Sequence, residues 1–503
     1  MVSLGTAFDD TAARRGASVA LIYDQKAYSY AHLRARAAGI AGGLFARRIH
    51  PGDRVAIGLH NSPDLAAAIM GTLQAGAVLV PVNPACTAEE LTYVLADAGA
   101  RVAILEPEHA MSAAEASLPD LMLIATSLQG FEDAPPRPSA VGAEAPALII
   151  YTSGTTGRPK GAVLSHGALF ANLTTVARAW RWSEDDRLLL TLPCFHLHGL
   201  GLGLLGSWLV GSSVVLRRRF VAEEALADLE GNRATMFFGV PTMYNRLLAL
   251  PEERCGGCDL SRMRLWVSGS APLPATTFER FKDRFGVEIH DRYGMTECGF
   301  VLASAYGERR RAGTVGIPLP GISVRLVDPE AANCGRLEDV PDGMPGEIAI
   351  KGTNLFSGYW NRPEETARAF VGGYLRSGDI AQRDPDGMFR IAGRMSVDIL
   401  KTRGFKVSAV EIEDCLQRHP AVQEVAVVGV PDADQGERVV AVITPVSGAE
   451  PGSDAIRVFA REHLAPHKVP SRVVFMTDIP RTGPGKFKKK EIVRLLLVEN
   501  AET

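Results

Sequence analysis

The stretch TSGTTGRPKG at 152–161 concentrates residue types that handle phosphate. Gly154 and Gly157 allow close backbone approach and left-handed turns. The hydroxyls of Thr152, Ser153, Thr155 and Thr156 donate hydrogen bonds, and Lys160 adds a cation. The apolar run ALIIY just before it predicts a strand that feeds the loop. This is not the Walker-type loop, because Arg158 and Pro159 follow Gly157 where a lysine and a magnesium-binding hydroxyl would stand. Taken alone, the stretch also fits a mobile surface turn. Cys255 and Cys258 form a lone CxxC; with no second Cys or His pair at ligand spacing, it reads as loop thiols.

The elements that must carry these residues follow from the pattern around them. From Arg54 the chain alternates apolar runs with helical stretches: RVAIGL, SPDLAAAIMGTLQAG, AVLVPV, TAEELTYVLADAG, RVAILEP. Thr87 and Glu90 have capping-box spacing at the start of one helix. Alternation of this kind predicts an α/β fold with layered, largely parallel sheets. The Ala/Pro-rich stretch at 131–146 predicts a surface connection. After GRMSVD near 395 the pattern shortens. Ser408 and Glu411 cap a helix, two strand-like runs follow (VQEVAVVGV, RVVAVITP), then a helical AIRVFAREHL and a strand RVVFM. This predicts two units: a large domain over 1–395 and a small α+β domain over 396–503.

Composition sets the outer limits. A chain of 503 residues with 46% hydrophobic and 22% charged residues is an ordinary globular protein, and a net charge of −3 offers no field for nucleic acid. Seven scattered cysteines argue against a secreted disulfide framework and for a reducing compartment. The N-terminus lacks an apolar signal core and carries Asp9 and Asp10, so a cytoplasmic protein is expected. The uncharged run at 199–216 is interrupted by glycines and serines and reads as a buried core segment, not a membrane span.

Together with LPCFHLHGL, SGSAPL, DRYGMTE, GEIAIKG, YLRSGDI, GRMSVDILKTRG and PRTGPGK, in that order along the chain, the glycine loop resembles the signature of the adenylate-forming superfamily. That family includes acyl-CoA synthetases, adenylation domains of peptide synthetases, and luciferases. The resemblance covers nearly the whole chain. It implies a large adenylate-forming domain, a mobile C-terminal lid, and a two-step reaction: a carboxylate attacks the α-phosphate of ATP, and a thiol then displaces AMP. By the same resemblance Lys486 is the catalytic lysine, Glu297 helps hold Mg2+, and Thr296 touches phosphate. Tyr293 stacks on adenine, Ser270, Ala271 and Pro272 line the adenine pocket, and Asp379, reinforced by Arg394, receives the ribose hydroxyls. Ser396 falls at the hinge, where the family commonly has Asp or Lys. Lys401 and Gly404 belong to the loop presented to CoA after the lid swings. Each residue, taken singly, also fits packing or turn structure, and FKKK after Lys486 also fits a solvated basic face.

The RYGMTE and HxHG stretches resemble those of malonyl-CoA synthetases more than those of fatty-acid or aryl relatives. Arg292 matches the geometry of a second carboxylate and would be left unpaired by an apolar acid. The resemblance therefore implies a substrate site containing Arg292, His196, His198 and Ser268, with His196 also placed as a gate between the acyl and thiol channels, and malonate or methylmalonate as the acid. Other readings stay open at this point. Arg292 can pair with Asp291, His198 can be a core histidine, and the acid can be medium-chain or aryl. The acceptor can be a carrier protein instead of CoA, and the fold can serve nucleotide binding without catalysis.

Overall fold

The alternation that starts at Arg54 builds a seven-stranded sheet. Its order is Gly358–Tyr359, Lys160–Ser165, Pro146–Thr152, Val78–Pro81, Arg54–Gly58, Ala100–Leu105, Met122–Ala125. The five strands from Pro146–Thr152 to Met122–Ala125 run parallel, Lys160–Ser165 pairs antiparallel with the first of them, and Gly358–Tyr359 pairs antiparallel with Lys160–Ser165. The computed structural model describes residues 3–115, 121–125, 128, 141–152, 158–255, 258–402, 405–432, 435–481 and 486–501. Much of the connection expected at 131–146 lies outside these residues, as do Ser153, Gly154, Thr155, Thr156, Gly157 and Gly404.

A second sheet of nine strands has the order Ile317–Pro318, Gly299–Ala303, His290–Met295, Leu265–Ser268, Met236–Gly239, Arg187–Leu190, Ser213–Leu216, Val19–Tyr23, Lys26–Ser29. Its central members are parallel and buried, as sheets covered on both faces must be. Helices form where the sequence placed them. Ala88–Ala98 begins with the full Thr87/Glu90 capping box and ends at Gly99 in the left-handed conformation. The run at 199–216 is buried, but not as one helix. It folds as a π-helix His198–Gly206, a short turn of α-helix Ser207–Val210, and the strand Ser213–Leu216. Among the described residues, no helix is long and apolar enough to cross a membrane.

A third, antiparallel sheet runs from Ser323–Val327 to Phe389–Arg394, and a fourth contains every strand from Ile399–Thr402 onward. The fourth sheet packs Ala409–Leu416 and Ser453–His463 on one face and Lys489–Ala501 on the other, each over its own apolar cluster. The fold is thus a large α/β unit of layered sheets followed by a small α+β unit. Ser396 lies exposed in the turn between the last strand of the third sheet and the first of the fourth.

Candidate active site

Ser268 ends a parallel strand and is level with Asp291 on its neighbour. Beyond it the backbone turns through Gly269 and Ser270, the latter at φ 70°, a conformation that costs a non-glycine residue energy and persists only when surroundings enforce it. One such restraint is the bond of 3.2 Å between Ser270 Oγ and His198 Nδ1. Gly269 is needed for a different reason. The Arg292 guanidinium lies directly over it, so that a Cβ there would stand 2.5 Å from Arg292 Cζ. On its other side the guanidinium is 4.6 Å from the centre of the Phe300 ring.

Arg292 is only 5% exposed, and its Nε and Nη2 have no partner among the described residues. The alternative pairing with Asp291 is corrected here. Asp291 Oδ1 accepts the backbone N–H of Arg292 at 3.0 Å, and strand alternation sends the two side chains to opposite faces. Burial pulls Arg292 down to about 10 and raises Asp291 to about 7. Ser268 Oγ, His198 Nε2 and His196 Nε2 are also buried without a partner. Burial pushes His196 down to about 4, with Lys486 adding to it, and holds His198 well below its ordinary value, with Arg292 and His196 adding. Both rings are therefore neutral at pH 7. The result is a buried, donor-rich cluster around one cation. Buried polar groups are almost always satisfied, so this cluster calls for a ligand.

Asp379 is built the opposite way. Tyr293 donates its hydroxyl to Oδ2 at 2.7 Å and Arg394 Nε donates to Oδ1 at 2.9 Å. The carboxylate is the main cause that raises Arg394, while burial comes first in raising Tyr293. Glu297 is buried, with Oε1 accepting from Tyr359 at 2.9 Å, and Thr296 is half-buried in the turn before it. Lys160 sits 5.3 Å over the Tyr359 ring and pairs with Glu365. Thr152, at the end of the facing strand, directs its hydroxyl to Lys160 O at 3.4 Å. Ala271 is half-buried and Pro272 exposed, next to Ser270.

Lys486 is exposed, yet protein crowds round its ammonium. Burial lowers its ammonium, and the charges of Arg394, Asp379, Arg292 and Asp398 all reach it. The small unit thus delivers a lysine to the region between the Arg292 and Asp379 clusters. Lys401 is exposed on Ile399–Thr402. The solvated reading of FKKK is corrected in part. Lys488 and Lys490 are exposed, but Lys489 is buried between Asp398 and Glu413. Tyr359 and Phe300 were not anticipated, because neither lies within a residue pattern that announces chemistry, and Gly269, although within SGSAPL, was given no role. Among the described residues no three His, Cys, Asp or Glu side chains gather as a metal cage. Cys258 is half-buried, and the side chain of Cys255 lies outside the description.

Comparison with known proteins matches the large parallel-sheet unit and the small lysine-bearing unit in turn. Residues 8–360 match the AMP-binding enzyme family model and residues 411–486 match the AMP-binding enzyme C-terminal domain. The chain belongs to the AMP-binding enzyme family. It is 39% identical to a feruloyl-CoA synthase of an Amycolatopsis species, over 93% of this chain and 94% of that one. It is 35% identical to the mitochondrial malonate–CoA ligase of Homo sapiens, over 88% and 83%. Among solved structures, ATP-bound MatB from Rhodopseudomonas palustris superposes with a TM-score of 0.91 at 35% identity, covering 99% of both chains.

Proposed function

We propose that this enzyme joins malonate, or methylmalonate, to CoA through an acyl-adenylate formed from ATP. The observation that carries this reading is the buried Arg292, with two guanidinium nitrogens unpartnered beside the unpartnered Ser268 Oγ and His198 Nε2. A short diacid places one carboxylate there and leaves the other to react. A charged carboxylate satisfies the fork that an apolar acid would strand.

In this reading residues 1–395 bind the nucleotide and the acid, and residues 396–503 move. Asp379, already oriented by Tyr293 and Arg394, receives the ribose diol, and the Tyr293 ring, tethered by its hydroxyl, offers a face to adenine. Ser270, Ala271 and Pro272 line the base, while Thr152, Lys160 and the glycine loop between them hold phosphates. Lys486 draws the reacting carboxylate and the α-phosphate together and offsets their charge. Glu297 supplies a carboxylate oxygen of the kind Mg2+ prefers, beside Thr296, and the ion when bound would draw charge from the phosphates. The turn at Ser396 then rotates, Lys486 withdraws, and the Lys401–Gly404 loop meets pantetheine, with His196 gating between the acyl and thiol paths. Described cysteines are all free thiols, which supports a reducing, cytoplasmic setting.

Acid-dependent pyrophosphate release with malonate, methylmalonate, succinate, acetate, octanoate, benzoate and ferulate, with and without CoA, tests the proposal. Malonate or methylmalonate should lead, and thioester should appear only with CoA. A second reading, an aryl-acid ligase, is favoured by the 39% identity to a feruloyl-CoA synthase. Ferulate turning over faster than both diacids would establish it and remove the malonate assignment.

A further inference from the structure

Asp398 stands two residues beyond Ser396, and its carboxylate is held from both sides of that turn. Oδ2 accepts the backbone N–H of Arg394 at 2.9 Å, while the Asp398 N–H donates to Arg394 O at 2.7 Å, so the two residues close the turn reciprocally. Oδ1 receives Lys489 Nζ at 2.5 Å, and Lys489 also reaches Glu413 Oε1 at 2.7 Å. The Lys489 side chain is 10% exposed and opens the helix Lys489–Ala501. Gly393, at φ +125°, lets the strand pass so close that a Cβ on it would come 2.5 Å from Asp398 Cβ. A continuous chain of polar contacts therefore runs from Asp379 through Arg394 and Asp398 to Lys489 and Glu413.

We propose that Asp398 and Lys489 are positioning residues that latch the small unit in its adenylate-forming orientation, and that the latch must open before thioester formation. The inference rests on the role given above to Lys486. Lys489 lies three residues beyond Lys486, so anchoring its ammonium to the hinge turn fixes the base of the segment that carries Lys486 into the cleft. The contacts on the two sides of Asp398 behave differently when the backbone rotates at 395–397. Those to Lys489 and Glu413 stay within the small unit and travel with it. Those to Arg394 span the rotating bonds and cannot survive the rotation. Their strength thus sets how long the enzyme dwells in the orientation for the first half-reaction.

The test uses the full-length enzyme with Asp398→Asn, Lys489→Met and, as a control, Lys486→Ala. Single-turnover pyrophosphate release from ATP and malonate is compared with thioester formation from supplied malonyl-adenylate and CoA. Asp398→Asn and Lys489→Met should slow the first at least tenfold and leave the second unchanged or faster. Equal loss in both half-reactions, or no loss in the first, in variants whose circular dichroism matches the parent, overturns the latch. Pyrophosphate release surviving Lys486→Ala would instead sink the underlying role of Lys486. Hydrogen exchange in the unmodified enzyme needs no variant to fold. Amides at 397–398 should be protected with ATP and exchange faster with a stable adenylate analogue plus CoA, and equal protection in both states also overturns the proposal.

Discussion

The two ends of the cleft are built from similar side chains and satisfied to opposite degrees. At the end proposed to receive ribose, Asp379, Arg394 and Tyr293 bond one another, so the group is held in place before any ligand arrives. At the end proposed to take the acyl group, Arg292, Ser268 and His198 are buried but hold atoms unpartnered among the described residues. A nucleotide common to the whole family can be met by groups that already stabilise the fold. Selection among acids needs groups whose satisfaction depends on the right acid, and that dependence costs stability when the site lacks it.

The largest break in this contrast should come from Arg292→Met. Losing about two charge-assisted hydrogen bonds, roughly 1.5–3 kcal/mol each, lowers kcat/KM for malonate by about 10² to 10⁴, measured by pyrophosphate release. The melting temperature of the free enzyme should hold or rise, because a buried unpaired cation has been removed. Asp379→Ala should behave in the reverse manner. It strands Arg394 and the Tyr293 hydroxyl, so differential scanning fluorimetry should show a loss of about 1–3 kcal/mol together with a raised KM for ATP. Ser268→Ala sharpens the comparison at smaller scale: kcat/KM for malonate falls about 2- to 10-fold while stability is unchanged, since the lost hydroxyl had no protein partner.

A separate expectation concerns pH. His166 is fully buried, accepts the Leu4 N–H at Nδ1, and is pushed down to about 4 by burial. Between about pH 6.5 and 4 the unfolded chain binds a proton that the folded one refuses, so stability falls on acidification by about 1.4 kcal/mol per pH unit from this group. His166→Asn keeps an acceptor for Leu4 and should flatten the decline of melting temperature between pH 7 and 5. An unchanged slope would contradict the buried neutral state.

Local sequence announced those parts of the molecule that depend on local forces. The Thr87/Glu90 box and the Ser408 cap appear where their spacing placed them, because a cap is a contact between residues three apart. The glycine-rich run at 199–216 was legible as buried but not as a π-helix, since its hydrogen-bond pattern depends on what the helix packs against. The Lys489 pairing was hidden within a basic run, because its partners Asp398 and Glu413 are remote in the chain.

The sequence by itself determined the order of elements and the family motifs, for these follow from chain geometry and residue chemistry. That the Arg292 guanidinium finds Gly269 beneath it, and that its Nε and Nη2 find no partner among the described residues, only the tertiary structure decided. Burial and pairing are properties of the packed neighbourhood, assembled here from segments as far apart as Ser268, Phe300 and His198, and strand alternation carries no record of them.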